Sequence, residues 1–367
     1  MAEVAERRVS WAELFFDLIF VFAVTQVSAL LLSGHSPAGV ARALVVLVPV
    51  YWVWIGTSVF INTRGTDRPL ERLGVFGVGL CSLLMALAIP DAYGERGVWF
   101  GVAYLVARAI IAAMTFMGVP LLLNPVGISL FTSGPLLIVG GFLDGRARWI
   151  LWGLAALIDL STPRLTRKRL LRLKFDAPHL AERFGLLVII ALGESIVAIG
   201  APLASAKHVA AGAIAGVAVA FVIAVGLWWV YFNYAADAVR HALATTEIKT
   251  DLVRQVLTYG HFLFIAGIIA VAVGLDEAVA HYSHRLPVAV VALLYGGCAL
   301  YLGTFGYTRW AMFRKVATWR LTGAGLAVLL APVAVFVPAI AAMGILAALL
   351  VALNAWEYRN VTRTGRV

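Results

Sequence analysis

The sequence predicts an all-α protein, a polytopic bundle of about twelve transmembrane helices. Three observations predict it. Of 367 residues, 62% are hydrophobic and only 13% are charged, against roughly 25% charged in a soluble domain. Mean hydropathy is +0.94, and apolar runs of the length that crosses a hydrocarbon core recur along the whole chain. Lys and Arg gather in alternate loops, as the positive-inside rule requires of a multi-pass protein.

The first span, 12–33, opens with Ser10 and Glu13, an S-x-x-E capping box. No small-residue cleavage pattern follows it, so it reads as a retained membrane helix and not a signal peptide. Spans at 38–60 and 72–90 end in YWVWIG and ALAIPDA, and 98–119 carries Arg108 inside its apolar run. Next come 126–143 and 147–161, the latter short for a full crossing. The basic run RLTRKRLLRLKF, from Arg164 to Phe175, then interrupts the pattern. Beyond it lie 184–202 with Glu194, 208–234 closing in LWWVYF, 255–274, 286–307, and finally 321–338 and 340–356, divided by Pro338.

This order divides the chain into a first transmembrane half at 1–163, a basic connecting segment at 164–183 and a second half at 184–367. Laying Glu13 on Glu182 also lays Phe15 on Phe184, and the Trp-rich ends of the second spans and the acidic ends of the third spans fall in the same order. The expectation is a six-plus-six tandem repeat, its halves parallel because six crossings restore the starting side.

Charge sets the expected orientation. Arg7 and Arg8, Arg64, Arg68 and Arg72, the run at Arg164–Lys174, and Arg309, Arg314, Lys315 and Arg320 all fall on one side. Both termini are therefore expected in the cytoplasm and the chain in the cell membrane. The formal charge of +10 is then a consequence of topology, with no nucleic-acid partner implied. The basic segment is expected to meet anionic lipid headgroups. The two cysteines, Cys81 and Cys298, lie in apolar runs, which gives neither a disulfide nor a thiolate metal site. Asp276, Glu277, His281 and His284 match no ligand spacing, so no metal is assigned. No cofactor is assigned either, because no phosphate loop, dinucleotide fingerprint, HExxH or nucleophile elbow occurs. The sequence leaves room for an oligomer.

Ionisable groups inside spans are costly and mark function or structural pairing. Glu194 lies about ten residues into its span, roughly 15 Å deep at the helical rise. Arg108 reaches a similar depth from the other side, so the two are candidates either for an ion pair or for a substrate or proton site. Asp17 sits one turn beyond Glu13 on the same face, without a capping role, and Gln26 lies deeper in the same span. His179, Glu182 and Arg183 share one face at i, i+3 and i+4, either as a helix start with a local ion pair or as a polar group at the membrane face.

AELFFDLIFVFAVTQ and HLAERFGLLVIIALGES, with LWWVYFN from Leu227 to Asn233, resemble the bacterial low temperature requirement A family across nearly the whole chain. That resemblance implies a polytopic membrane protein of the bacterial inner membrane. It marks Glu13, Asp17, His179, Glu182, Arg183, Gly193 and Glu194 as motif positions, and it supplies no substrate. The family pattern commonly carries Asp after WWxYF, where this chain has Asn233.

The leading functional expectation is a secondary transporter or permease, proton-coupled through carboxylates in the first helix of each half and acting on a small molecule or ion. The alternatives are an integral membrane enzyme acting on a lipid or isoprenoid, and a membrane sensor or scaffold that docks a partner on its basic segment. Enzymatic activity is the weaker expectation, because no catalytic motif is present.

Overall fold

The computed structural model describes residues 9–115, 124–204, 208–246 and 249–364. Arg7 and Arg8, part of the charge asymmetry, lie outside the described residues. Thirteen helices follow in order: α1 Trp11–Leu32, α2 Pro37–Arg64, α3 Pro69–Ala88, α4 Gly97–Thr115, α5 Pro125–Phe142, α6 Gly145–Leu165, the short α7 Arg167–Leu170, α8 Ala177–Ala204, α9 Ala211–Thr245, α10 Lys249–Ala280, α11 Val288–Phe313, α12 Thr318–Phe336 and α13 Ala339–Thr364. Among the described residues the only β pairing is an isolated bridge between Arg285 and Pro338.

Each of the twelve expected spans coincides with one long helix, and ten of these are long and apolar enough to cross a membrane. The other two differ for visible reasons. Helix α6 carries Arg146, Arg148, Asp159 and Arg164, and α12 is apolar only over Thr318–Ala334. Helix starts follow local chemistry: Pro37, Pro69 and Pro125 take first-turn positions where no N–H is needed. Ser36 and Asn124 accept hydrogen bonds from Gly39 and Gly127, at 3.1 and 2.8 Å. Helix α2 stops at Gly65, whose φ of 93° suits a residue without a Cβ.

Residues 164–183, expected as a connecting segment, contain the end of α6, all of α7 and the first two turns of α8. His179 and Arg183, expected on one helical face at a helix start, do lie in the first two turns of α8, and both side chains are buried. Arg167 forms a two-pronged pair with Asp251, its Nε 2.7 Å from Oδ1 and its Nη2 2.5 Å from Oδ2. That pairing with a protein carboxylate was not foreseen from the basic run.

The chain forms two compact units: Met1–Arg183 with Thr246–Arg254, and Phe184–Thr245 with Gln255–Val367. In the first, α1 packs on α2 and α3, α3 on α4, α4 on α5, α5 on α6, and α6 on α2. Helix α2 is the most enclosed of its spans and holds Tyr51, Trp52 and Trp54 in the core. In the second, α10 packs on α11, α11 on α12, α12 on α13, and α9 on both α13 and α10. The α10–α11 contact relies on two glycines, since a Cβ on Gly267 would lie 2.9 Å from the Gly297 carbonyl oxygen and one on Gly297 would lie 2.8 Å from that of Gly267. Among the described residues three π-helical stretches interrupt the α-helices, at Ser129–Ser133, Tyr231–Ala235 and Val253–Gly260. Such wide turns often accompany functional positions, and here each borders a buried polar group.

Candidate functional site: a buried acid–base cluster in the first unit

Glu13 and Asp17 of α1 meet His179 and Arg183 of α8 across the face of α2 that carries Trp54, Ser58 and Asn62. The relative exposures of Glu13, His179 and Arg183 are 0%, and that of Asp17 is 3%. The spacings explain the convergence, since residues four apart share one helical face in all three helices. Trp54 Nε1 donates to Asp17 Oδ1 at 2.9 Å. Arg183 Nη2 donates to the same oxygen at 3.0 Å and to Ser58 Oγ at 3.1 Å. Its guanidinium carbon lies 5.4 Å from the centre of the Trp54 ring, a cation–π placement.

Glu13 does two jobs. Its Oε1 accepts from the backbone N–H and the hydroxyl of Ser10, at 3.0 and 2.8 Å, which is the expected cap. Its Oε2 lies 3.0 Å from His179 Nε2 and 3.3 Å from Arg183 Nη1. These are ion-pair distances without the alignment of a good hydrogen bond.

Asn62 determines the state of the histidine. Its Oδ1 accepts from the Asp176 backbone N–H at 3.0 Å, which leaves Nδ2 as the donor, to Asp176 O at 2.8 Å and to His179 Nδ1 at 3.0 Å. Nδ1 must then be an acceptor, so the ring is neutral with its proton on Nε2, the nitrogen 3.0 Å from Glu13 Oε2. The cluster therefore sets two carboxylates against one guanidinium. An uncompensated charge in such a site is costly, and one proton removes it. Neither Glu13 Oε2 nor Asp17 Oδ2 accepts a hydrogen bond among the described residues, but Glu13 Oε2 has His179 Nε2 and Arg183 Nη1 within 3.3 Å.

The other expected site residues do not join this cluster. Glu182 is exposed. Gln26 is half-buried, nine residues beyond Asp17 and so about 13 Å further along α1. Arg108 anchors a second buried centre in the same unit. It donates to the Trp52 carbonyl at 3.1 Å, to Ser129 Oγ at 2.7 Å and to Tyr104 Oη at 3.2 Å. Those hydroxyls, with Ser133, donate in turn to Asp159 at 2.6–2.7 Å. A Cβ on Gly56 would sit 2.8 Å from Arg108 Nη1, so that glycine makes room for the guanidinium. Glu194, the expected partner of Arg108, is buried in the second unit within electrostatic range of Asp276.

Sequence reading missed Ser58, Asn62 and Asp159. The signal was present: Trp54, Ser58 and Asn62 repeat at four-residue spacing in an apolar helix, as do Tyr104–Arg108 and Ser129–Ser133. It missed Arg148 as well, which is buried and donates to the carbonyls of Ala92, Gly94, Gly140, Gly141 and Leu143. Arg148 thereby fastens the turns at one end of the first unit. Near Asp276, His281 pairs with Glu277 at 3.3 Å, and among the described residues no three of His, Cys, Asp and Glu converge as metal ligands.

The comparisons with known proteins agree with this picture of a multi-pass membrane protein. No solved structure matches the chain. It is 30% identical over 373 residues, covering 96% of this chain and 90% of the other, to an uncharacterized protein of Rhizobium meliloti (strain 1021). The family model described as bacterial low temperature requirement A protein matches residues 8–355. That span takes in the buried cluster, the Arg108 centre and nearly all of both units, and the chain belongs to the bacterial low temperature requirement A (LtrA) family.

Proposed function

We propose that this protein is a proton-coupled secondary transporter of the cell membrane, and that the Glu13–Asp17–His179–Arg183 cluster is its proton-handling centre. The observation that carries the reading is the charge imbalance in a site sealed from solvent. Two carboxylates face one arginine, the histidine is held neutral by Asn62, and one oxygen of each carboxylate, Glu13 Oε2 and Asp17 Oδ2, accepts no hydrogen bond among the described residues. A single proton on Asp17 balances the site, and its departure exposes a negative charge that Arg183 alone answers. A group of this kind can bias a two-state transport element, because proton binding changes the cost of burying it.

The scaffold supports the same reading. Each unit repeats one order of neighbours, with its third to sixth long helices packed in series and its sixth returning to its second. Parallel six-helix repeats are one of the frameworks on which transporters are built. Catalysis at the cluster is less well supported, because a substrate would have to reach side chains with no exposed surface.

Charge displacement after a pH jump, recorded from proteoliposomes on a solid-supported membrane, tests the proposal without knowledge of the substrate. Wild type should give a transient current that Asp17→Asn abolishes and Glu182→Gln leaves intact. A current unchanged in Asp17→Asn would remove the proton role from this cluster.

A further inference from the structure

We infer that the second unit contains a binding site for an amphiphile bearing a phosphate monoester, formed where α9, α10, α11 and α12 line a cavity of about 460 Å³. The inference goes beyond the transport reading and does not depend on it, since every residue concerned belongs to the second unit.

The cavity is graded in polarity. Its floor is aromatic and buried: Phe264 and Phe305 lie 4.4 Å apart between ring centres, and Tyr231 meets both rings. The Tyr231 hydroxyl is already committed to His261, at 2.7 Å. His261 Nδ1 is 3.0 Å from the Val256 carbonyl, so it donates there and its Nε2 accepts from the tyrosine. Tyr231 therefore offers the cavity its ring and no free hydroxyl. The rim is cationic, with Arg309, Lys315 and Arg320.

Charge accounting at the rim selects the ligand. Arg320 is held by Glu357 through two contacts, at 2.8 and 3.2 Å, and stands 4.4 Å above the Phe305 ring. It is positioned and largely neutralised. The carboxylate at the rim, Asp237, lies 3.8 Å from Arg240. Arg309 and Lys315 have no acidic partner among the described residues. Two uncompensated cations above an apolar floor suit a headgroup of nearly two negative charges better than a carboxylate of one. A phosphate monoester carries about −1.5 to −2 near neutral pH, and Arg and Lys are its usual protein contacts.

Size and position agree with an amphiphile. A volume of this order holds a headgroup and the first part of a chain and is too small for a whole lipid. The cavity lies where α11 ends and α12 begins, the end of the bundle that charge asymmetry assigns to the cytoplasmic headgroup layer.

The experiment is thermal unfolding of the purified full-length protein in neutral detergent, titrated with dodecyl phosphate, butyl phosphate, inorganic phosphate or dodecyl trimethylammonium. Dodecyl phosphate should raise Tm saturably. Butyl phosphate should need at least tenfold more, and inorganic phosphate and the cationic amphiphile should have no saturable effect. Equal effects of dodecyl and inorganic phosphate would mean a free-phosphate site and overturn the lipid assignment. The Arg309→Gln/Lys315→Gln variant should weaken dodecyl phosphate at least tenfold. If it does not fold, Lys315→Gln alone, at an exposed position, should weaken it severalfold, and an unchanged response in whichever variant folds overturns the site. Asp17→Asn should bind as wild type does, so failure here and failure of the proton centre are read separately.

Discussion

At the residue scale, the buried cluster makes opposite demands on its two carboxylates. Asp17→Asn keeps an oxygen to accept from Trp54 and Arg183 and mimics the protonated acid. It should change stability by less than about 1 kcal/mol, within the range of a substitution that preserves buried hydrogen bonds. Glu13→Gln removes the charge facing both His179 and Arg183 and should cost more, about 2–3 kcal/mol, as for other hydrogen bonds to charged groups. Arg183→Gln leaves two carboxylates without a cation and should be the most damaging, at about 3–5 kcal/mol. Thermal unfolding of the three variants in one detergent checks the order. Equal losses in Asp17→Asn and Glu13→Gln would show that the proton is not localised on Asp17.

At the element scale, helices here are joined by polar groups as much as by packing. Asp159 accepts from Tyr104, Ser129 and Ser133, drawing α4, α5 and α6 together. Asp159→Ala strands three donors and the charge of Arg108, so a loss of about 3–5 kcal/mol is expected. Asp159→Asn, which keeps an acceptor, should recover much of it. In the second unit the α10–α11 contact depends on the mutual approach of Gly267 and Gly297. Gly297→Val should force the helices apart and lower Tm, while a valine at Gly296, which faces open space, should be tolerated. Similar Tm values for the two valine variants would argue against the close packing.

At the scale of the whole molecule, orientation is the property that everything else relies on. In a background with Cys81 and Cys298 replaced, Lys174→Cys and Ser283→Cys both lie at exposed positions. An impermeant thiol reagent applied to intact cells should label Ser283→Cys and miss Lys174→Cys. The reverse pattern would invert the assignment and place the cationic cavity rim outside.

Composition and period were enough to determine the class of this protein. So much apolar surface has no solvent but a membrane, each expected span coincides with one helix, and ten of those helices are long and apolar enough to cross. The capping box at Ser10 and Glu13 was legible because it is local. What tertiary structure decided was pairing. Nothing along the chain says that Glu13 shares its second oxygen with His179, that Asn62 sets that ring's tautomer, or that Arg108 answers to Asp159. Those partners lie up to 166 positions apart, and a charge in an apolar run reveals only that it needs a partner. Which partner it finds depends on helix rotation and on the rare places, such as Gly56, where one backbone lets another side chain approach.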